Sequence, residues 1–395
     1  MADIILRKGE GRTLRDGGCW IYDNEIKDTR GEYQNGDIVT VYSESGFFLG
    51  RGYINDNSKI RIRILSRNEN ELIDEEFFKR RIRSAFAYRK ACMDISSCRL
   101  VYSDADRLPG LIVDKFNDIL VVEIDTLGMD VRKAMIASSL LDVMKEEGII
   151  IKGIYERSDT RVRTLEGLER VKGFIGEEFP TDVLIDEYGV KIMVDVADGQ
   201  KTGYFLDQKA NHNAIRKICE GKKVLDCFTH TGGFALSAAK VAKEVIGVDA
   251  SERAIEQARL NASLNGFANI SFLTADVFDY LPKLEEEKAS FDVIILDPPA
   301  FTKSANSIKA ASKGYREINM RAMKLIKDGG FLVTCSCSEY MNRDLFAKII
   351  LEAGNSVHKR LRLVEERYQD KDHPIVLGNN VSSYLKCMII QINNR

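Results

Sequence analysis

The sequence predicts a multidomain chain: a small β-barrel first, a central α+β domain next, and a doubly wound α/β domain at the C-terminal end. Three observations carry this. The 395 residues exceed one ordinary domain. Residues 1–68 contain only short runs of alternating polarity between turn signals. From about residue 221, five apolar runs alternate with helical stretches, the rhythm of a parallel sheet with helices on both faces.

Composition narrows the class. Forty-four percent apolar and 30% charged residues describe a folded globular protein. No apolar run approaches the ~18 residues of a membrane span. The start, "MADIILRKGEGR", lacks an apolar signal region with a cleavage site, so a cytoplasmic protein is expected. Eight cysteines are spread along the chain without a C-x-x-C pair, and the four histidines are isolated; no metal site is expected. The net charge is −2, yet "KIRIRILSR" (59–67) and "KRRIRSAFAYRK" (79–90) hold ten Lys or Arg and no acid. They read either as solvated basic faces or as a patch that tracks phosphates.

In chain order, "NGDIVTVYS", "GFFLGRGYIN" and "IRIRILS" are strands of period two. In the last of these, Ile60, Ile62 and Ile64 face one way and Arg61 and Arg63 the other, which suggests a barrel with a basic outer face. "RNENELIDEEF" (67–77) leads into the basic helix. "LPGLIVDKFNDILVVEI" reads as a hairpin around Asn-Asp. "MDVRKAMIASSLLDVMKEEG" is an amphipathic helix stopped by glycine, and "VLIDEYGVKIMVDV" is a second hairpin. The apolar strands that follow are "KVLDCF", "EVIGVDA", "ISFLTAD", "FDVIILD" and "GGFLVTC". Helices are expected at 232–243, 251–264, 277–287 and 312–327, and a final strand at 384–392. Domain boundaries are expected to give 1–70, 71–190 and 191–395.

Ligands of such sheets bind outside the carboxyl ends of the strands. The first strand ends in "VLDCFTHTGGF", which lacks the G-x-G-x-x-G spacing of a dinucleotide site and places Asp226 at the strand end. That carboxylate repels a pyrophosphate and attracts an ammonium group. Gly232 and Gly233 permit close backbone approach at a helix start. Asp249 ends the second strand, 23 residues on, where a carboxylate accepts from both ribose hydroxyls. Asp276 ends the third, placed for an adenine amine. An amino acid, a ribose and an adenine without phosphate make up S-adenosylmethionine. A phosphate- or NAD-binding domain is the competing reading. "ILDPPAF" ends the fourth strand: Pro298 and Pro299 stiffen the loop and Asp297 faces the reacting group.

The fifth strand runs into "TCSCS". On an extended strand Cys335 and Cys337 point the same way, with Cys337 nearer the mouth. Two buried small hydrophobes are the bland interpretation. Beside a methyl donor and a base-binding loop, a nucleophile is the sharper one. C5 of a pyrimidine is too poor a nucleophile to take a methyl group directly. A thiolate added at C6 makes C5 an enamine carbon that can attack the sulfonium methyl, and loss of the C5 proton and of the thiol follows. Asp297 at the N3/N4 edge of cytosine would stabilise the adduct.

Together, "KTGYFLDQK" (201–209), "VLDCFTHTGGF", "LDPPAF" and "TCSCS" resemble the bacterial large-subunit rRNA cytosine-C5 methyltransferases of the RlmI type. "DADRLPGLIVDKF" and "YERSD" are similar to the central region of that family, and "NGDIVTVYS" to its PUA domain. The resemblance implies an N-terminal small β-barrel (PUA-like) that binds RNA, a central α+β domain, and an α/β Rossmann-like class I methyltransferase domain with an antiparallel last strand. It implies a homodimer acting on a cytosine in 23S rRNA. By its position Cys337 matches the catalytic cysteine of related C5 enzymes, with Cys335 as alternate. A further cysteine that many RNA cytosine enzymes carry after the Asp-x-Pro motif is here Ala300. Gln208, Phe228, Thr229 and Thr231 are assigned to the cofactor with the glycines and aspartates above. Pro298, Pro299 and Phe301 are assigned to the substrate base. Two alternatives stay open: a guanine N-methyltransferase needing no thiol, and a non-catalytic RNA-binding assembly factor.

Overall fold

The computed structural model describes residues 2–15, 17–302, 304–377 and 382–395. The chain forms two compact units. One comprises Met1–Ile185, Val194–Leu206 and Lys371–Ser382; the other comprises Asp186–Met193, Asp207–Asp370 and Ser383–Arg395.

The first unit contains two sheets. In the N-terminal one, six short strands follow the order Trp20–Ile21, Ile62–Ser66, Phe48–Ile54, Ile38–Tyr42, Asp3–Leu6, Ile26–Arg30. Period-two patterning buries Ile4, Leu6, Val39, Val41, Ile54, Ile62 and Ile64 in one small core. The second sheet has five strands, ordered Val171–Ile175, Gly153–Ser158, Ile119–Ile124, Leu111–Phe116, Ser97–Tyr102. Helices Glu75–Cys92 and Lys133–Glu146 share its core through Phe77, Ile82, Phe86, Leu140 and Val143. Asp74 caps the first helix by accepting from the Phe77 amide at 2.9 Å. The hairpin read around Asn117 is present, and Asn117 takes the left-handed conformation that such a turn needs.

The basic stretches depart from the outward-facing reading. The strand Ile62–Ser66 is covered on both sides, because Leu65 belongs to the core of the five-stranded sheet. Arg63 is therefore buried, and it pairs with buried Glu166 at 2.9 Å. Along 79–90 every cation faces an acid: Lys79 meets Glu75 and Asp142, Arg80 and Arg81 meet Glu71, Arg83 meets Glu76 and Glu146, and Lys90 meets Glu147. Arg89 is fully buried, and both its terminal nitrogens donate to Asp106, at 2.6 and 2.8 Å. It also donates to the carbonyls of Arg99, Ala85 and Asp372. Among the described residues each cation of this helix thus has an acidic partner, and Arg89 is the one enclosed in the core. Arg89→Met removes the cationic partner of Asp106 and the side-chain donor to three carbonyls. It is expected to lower the unfolding free energy of this unit by about 3–5 kcal/mol, readable by urea denaturation followed by hydrogen exchange.

The second unit is built on seven strands: β1 (Lys223–Cys227), β2 (Glu244–Asp249), β3 (Ile270–Thr274), β4 (Phe291–Leu296), β5 (Ile326–Ser336), β6 (Lys359–Arg367) and β7 (Lys386–Asn394). Their order across the sheet is β3-β2-β1-β4-β5-β7-β6. The first five are parallel, as the strand–helix rhythm requires, and β7 runs antiparallel between β5 and β6. Four expected helices occur at Gly233–Ala239, Glu252–Leu264, Val277–Glu286 and Ile308–Leu325. The helix Arg343–Ser356 and the strand β6 are additions to that expectation. Apolar side chains fill both faces of the sheet, with Leu225, Ile294 and Leu332 on one side and Val224, Val293, Ile295 and Val333 on the other. Strand order 2-1-4 reverses direction at β1, so the carboxyl ends of β1, β2 and β4 open a crevice there. Among the described residues no helix is long and apolar enough to cross a membrane.

Candidate active site

Asp226 lies near the end of β1 and is buried. Its Oδ2 accepts from the Thr229 hydroxyl at 2.6 Å, while Oδ1 is also buried and has no hydrogen-bond partner. Burial pushes this carboxyl up to about 7; the Thr229 hydroxyl opposes the rise and Asp297 adds to it. An unmatched buried acceptor is costly, and a cationic group at this loop relieves it.

The loop after β1 is shaped by unusual backbone. Phe228 and His230 both have positive φ, and so does Gly232, at 95°. Its folding places the His230 amide on Asp249 Oδ2 at 2.9 Å, while the Ser251 amide holds Oδ1 at 2.9 Å. Asp249 is thereby aimed and only partly covered, as a hydroxyl-binding carboxylate must be. Gly233 opens the following helix; a Cβ there would lie 2.4 Å from His212 Cε1. Glycine at this position is therefore required by the buried His212 ring packed against the helix start. Thr229 is buried against Asp226, whereas Thr231 is half-buried and offers its carbonyl to Asn261 at 3.1 Å. Asp276 is exposed and caps its helix, its Oδ1 accepting from the Phe278 amide at 2.8 Å.

His212, isolated along the sequence, is not isolated in the fold. It is buried, with Nδ1 2.7 Å from Glu187 Oε1 and its ring against Phe234. Burial alone would lower its basicity, but the Glu187 carboxylate more than offsets this and holds the imidazole above its usual range. No spacing rule joins residues 187 and 212; only the fold does.

Asp297 follows β4, and β4 pairs in parallel with β5, Leu296 opposite Thr334. The "DPP" loop and the cysteines are thus neighbours. Asp297 Oδ2 accepts from Gln208 Nε2 at 3.0 Å. Gln208, expected as a helix-start group, stands just before the helix Lys209–Ala214. Its amide is oriented by Asn211, whose Nδ2 donates to Gln208 Oε1 at 2.7 Å while Arg367 Nε donates to Asn211 Oδ1 at 2.8 Å. Because arginine can only donate, this order points the Gln208 NH2 at Asp297. Pro298 is buried, Pro299 is exposed, and the Phe301 ring packs 4.6 Å from that of Tyr315.

The two cysteines part company. Cys335 is the last-but-one residue of β5, fully buried and paired across the sheet with Cys387. Burial drives its thiol well above the usual range, and the hydrogen bond with Cys387 adds to this. Cys337 lies just past the strand end and is only partly covered. Of the two, Cys337 is the more accessible thiol.

Four carboxylates at strand ends, a glycine-lined helix start and an adjacent proline loop define a methyltransferase of the doubly wound class. The family description "S-adenosylmethionine-dependent methyltransferase" matches residues 163–379, and "PUA-like domain" matches residues 4–67. The chain belongs to the family of S-adenosylmethionine-dependent methyltransferases, and S-adenosylmethionine is its methyl donor. It is 38% identical over 390 residues to a protein of Aliivibrio fischeri named Ribosomal RNA large subunit methyltransferase I, covering 97% of each chain. It is 39% identical to the protein of the same name from Aeromonas hydrophila, covering 99% of each. Its fold is that of a Streptococcus mutans protein described as a SAM-dependent methyltransferase, with a TM-score of 0.82, 23% identity, and coverage of 99% of this chain and 100% of that one. A methyltransferase solved in complex with SAH is similar to the same degree, with a TM-score of 0.83 and 23% identity.

The chain's residues fit this donor, since the partnerless Asp226 oxygen suits its ammonium group. Donor affinity is expected to rise as pH passes about 7 and the Asp226 carboxyl ionises. Asp226→Asn should flatten that rise. Calorimetric titration from about pH 6 to about pH 7.5, below the donor's own α-amino titration, checks both.

Proposed function

We propose that this chain methylates C5 of a cytosine in 23S ribosomal RNA through a covalent bond between Cys337 and C6 of the base. The observation that carries the reading is the partly exposed Cys337 at the end of β5, beside the strand that ends in Asp297-Pro298-Pro299. The name shared by the relatives supports a large-subunit rRNA target.

In this reading Cys337 Sγ, as thiolate, adds to C6, and the displaced electron pair is held across C5 and the N3 edge. Asp297 accepts from the cytosine N4 amine and fixes the base, and Gln208 keeps that carboxylate turned to the substrate. Pro298 and Pro299 keep the loop from yielding, and Phe301 flanks the base. Asp226, Asp249 and Asp276, with Phe228, Thr229, Thr231 and the two glycines, form the donor's seat. S-adenosylmethionine, when bound, supplies an electrophilic methyl group. A base then takes the C5 proton, the C6–Sγ bond breaks, and the thiolate returns. A paired cytosine must leave its stack for this chemistry, at a cost of a few kcal/mol.

The test is to incubate the protein with methyl-labelled donor and unmodified rRNA, digest to nucleosides and identify the labelled one. Label in 5-methylcytidine is expected. Label in a methylguanosine overturns the cytosine reading in favour of direct attack by a guanine nitrogen.

A further inference from the structure

Lys386 begins β7 and is buried, an unusual place for an ammonium group. Among the described residues no carboxylate is close enough to form an ion pair with it. Its Nζ donates to two backbone carbonyls, Ser338 O at 2.6 Å and Tyr384 O at 2.7 Å. Its backbone stands directly opposite Ser336. The side chain thus spans Cys337, with its register set by the residue before it and its tip bound to the residue after it.

The two serines that flank Cys337 are tied as well. From the helix Ile308–Leu325, the Tyr315 hydroxyl accepts from Ser336 Oγ at 2.9 Å and lies 3.3 Å from Ser338 Oγ. The turn that carries Cys337 is thus tied at its flanking residues by one neutral group and one cationic group. The charged or titratable groups facing Lys386 are Cys337 and Glu339, from the turn after β5. Burial outweighs the pull of those two groups and leaves Lys386 lowered to about 8.

We infer that Lys386 is a positioning residue that holds the Cys337 turn and supplies the positive charge that keeps the Cys337 sulfur ionised for attack. This rests on the nucleophile reading above. It gives the buried lysine a function that its neutral partners do not explain. The proton lost from Sγ goes to solvent, and the ammonium group remains protonated throughout.

The test measures alkylation of Cys337 by iodoacetamide against pH, followed by peptide mass spectrometry so that the other seven cysteines do not interfere. Lys386→Gln keeps donors toward Ser338 O and removes the charge; Lys386→Arg keeps both. The Gln variant is expected to shift the midpoint upward by about one pH unit, roughly a tenfold slower labelling below it, and the Arg variant to restore it. An unshifted midpoint in Lys386→Gln overturns the inference. So does an equal shift in both variants, which marks a purely structural part.

If the Gln variant does not fold, 13C NMR titration of Lys386 in the native protein and in Cys337→Ser decides. Its midpoint should fall when the thiolate is removed, and an unchanged midpoint counts against the coupling. Both readouts are independent of methyl transfer. A methylguanosine product would thus remove the cytosine reading while leaving the lysine–thiol coupling to be judged on its own result.

Discussion

Cys337→Ala is expected to abolish methyl transfer, by about a thousandfold or more, while donor binding is retained. The size follows from the chemistry, because without an adduct at C6 the C5 carbon has no electron pair to offer. Donor affinity is spared because the seat is built from β1, β2 and β3, on the far side of β4 from Cys337. Cys335→Ala should behave differently. That thiol packs against Cys387 inside the sheet, so its loss affects stability before chemistry. Single-turnover methylation, paired with donor titration, separates the two variants. Retained activity in both contradicts the nucleophile assignment.

Asp297→Asn is expected to lower the rate of the chemical step about a hundredfold to a thousandfold. The substitution preserves shape but removes the charge proposed to receive the cytosine amine. It also sets one amide against another, since the Gln208 NH2 is already directed at this position by Asn211 and Arg367. If the substituted amide turns its NH2 toward Gln208, two donors face each other; if it turns the NH2 outward, a donor meets the N4 amine. Either way the site loses a favourable pairing that the carboxylate supplies to both neighbours. A rate within about threefold of the native enzyme would show that Asp297 serves another part of the site.

Much of this was legible from residues alone. The inner parallel strands announce themselves as apolar runs, because a strand covered on both faces has no polar side to alternate. Asp226, Asp249 and Asp297 stand out for the same reason: each is the first polar residue after such a run, whereas Asp276 follows Thr274. Strand β6 gives no such signal. It lies at the sheet edge, its "KRLRLVEER" is largely exposed, and it owes its conformation to pairing with β7. The basic segments misled for a related reason. Arginines in "IRIRIL" and "KRRIRSAFAYRK" look solvated because sequence shows charge but not its partner. Arg63 finds Glu166 across 103 residues, and Arg89 is enclosed by Asp106 and three carbonyls. Gln208 carried a weak signal in its helix-start position. Its orientation, by contrast, depends on Arg367, a residue of β6 that no local pattern connects to it.

The most direct test of the covalent mechanism uses rRNA transcribed with 5-fluorocytidine. Fluorine at C5 cannot be removed as a cation, so an adduct formed at C6 has no path to release once the methyl group is in place. The account predicts a donor-dependent protein–RNA species that survives denaturation, with the nucleotide mass fragmenting to Cys337 and not Cys335. Efficient methylation of ordinary rRNA, with no trapped species on the fluorinated transcript, would contradict it.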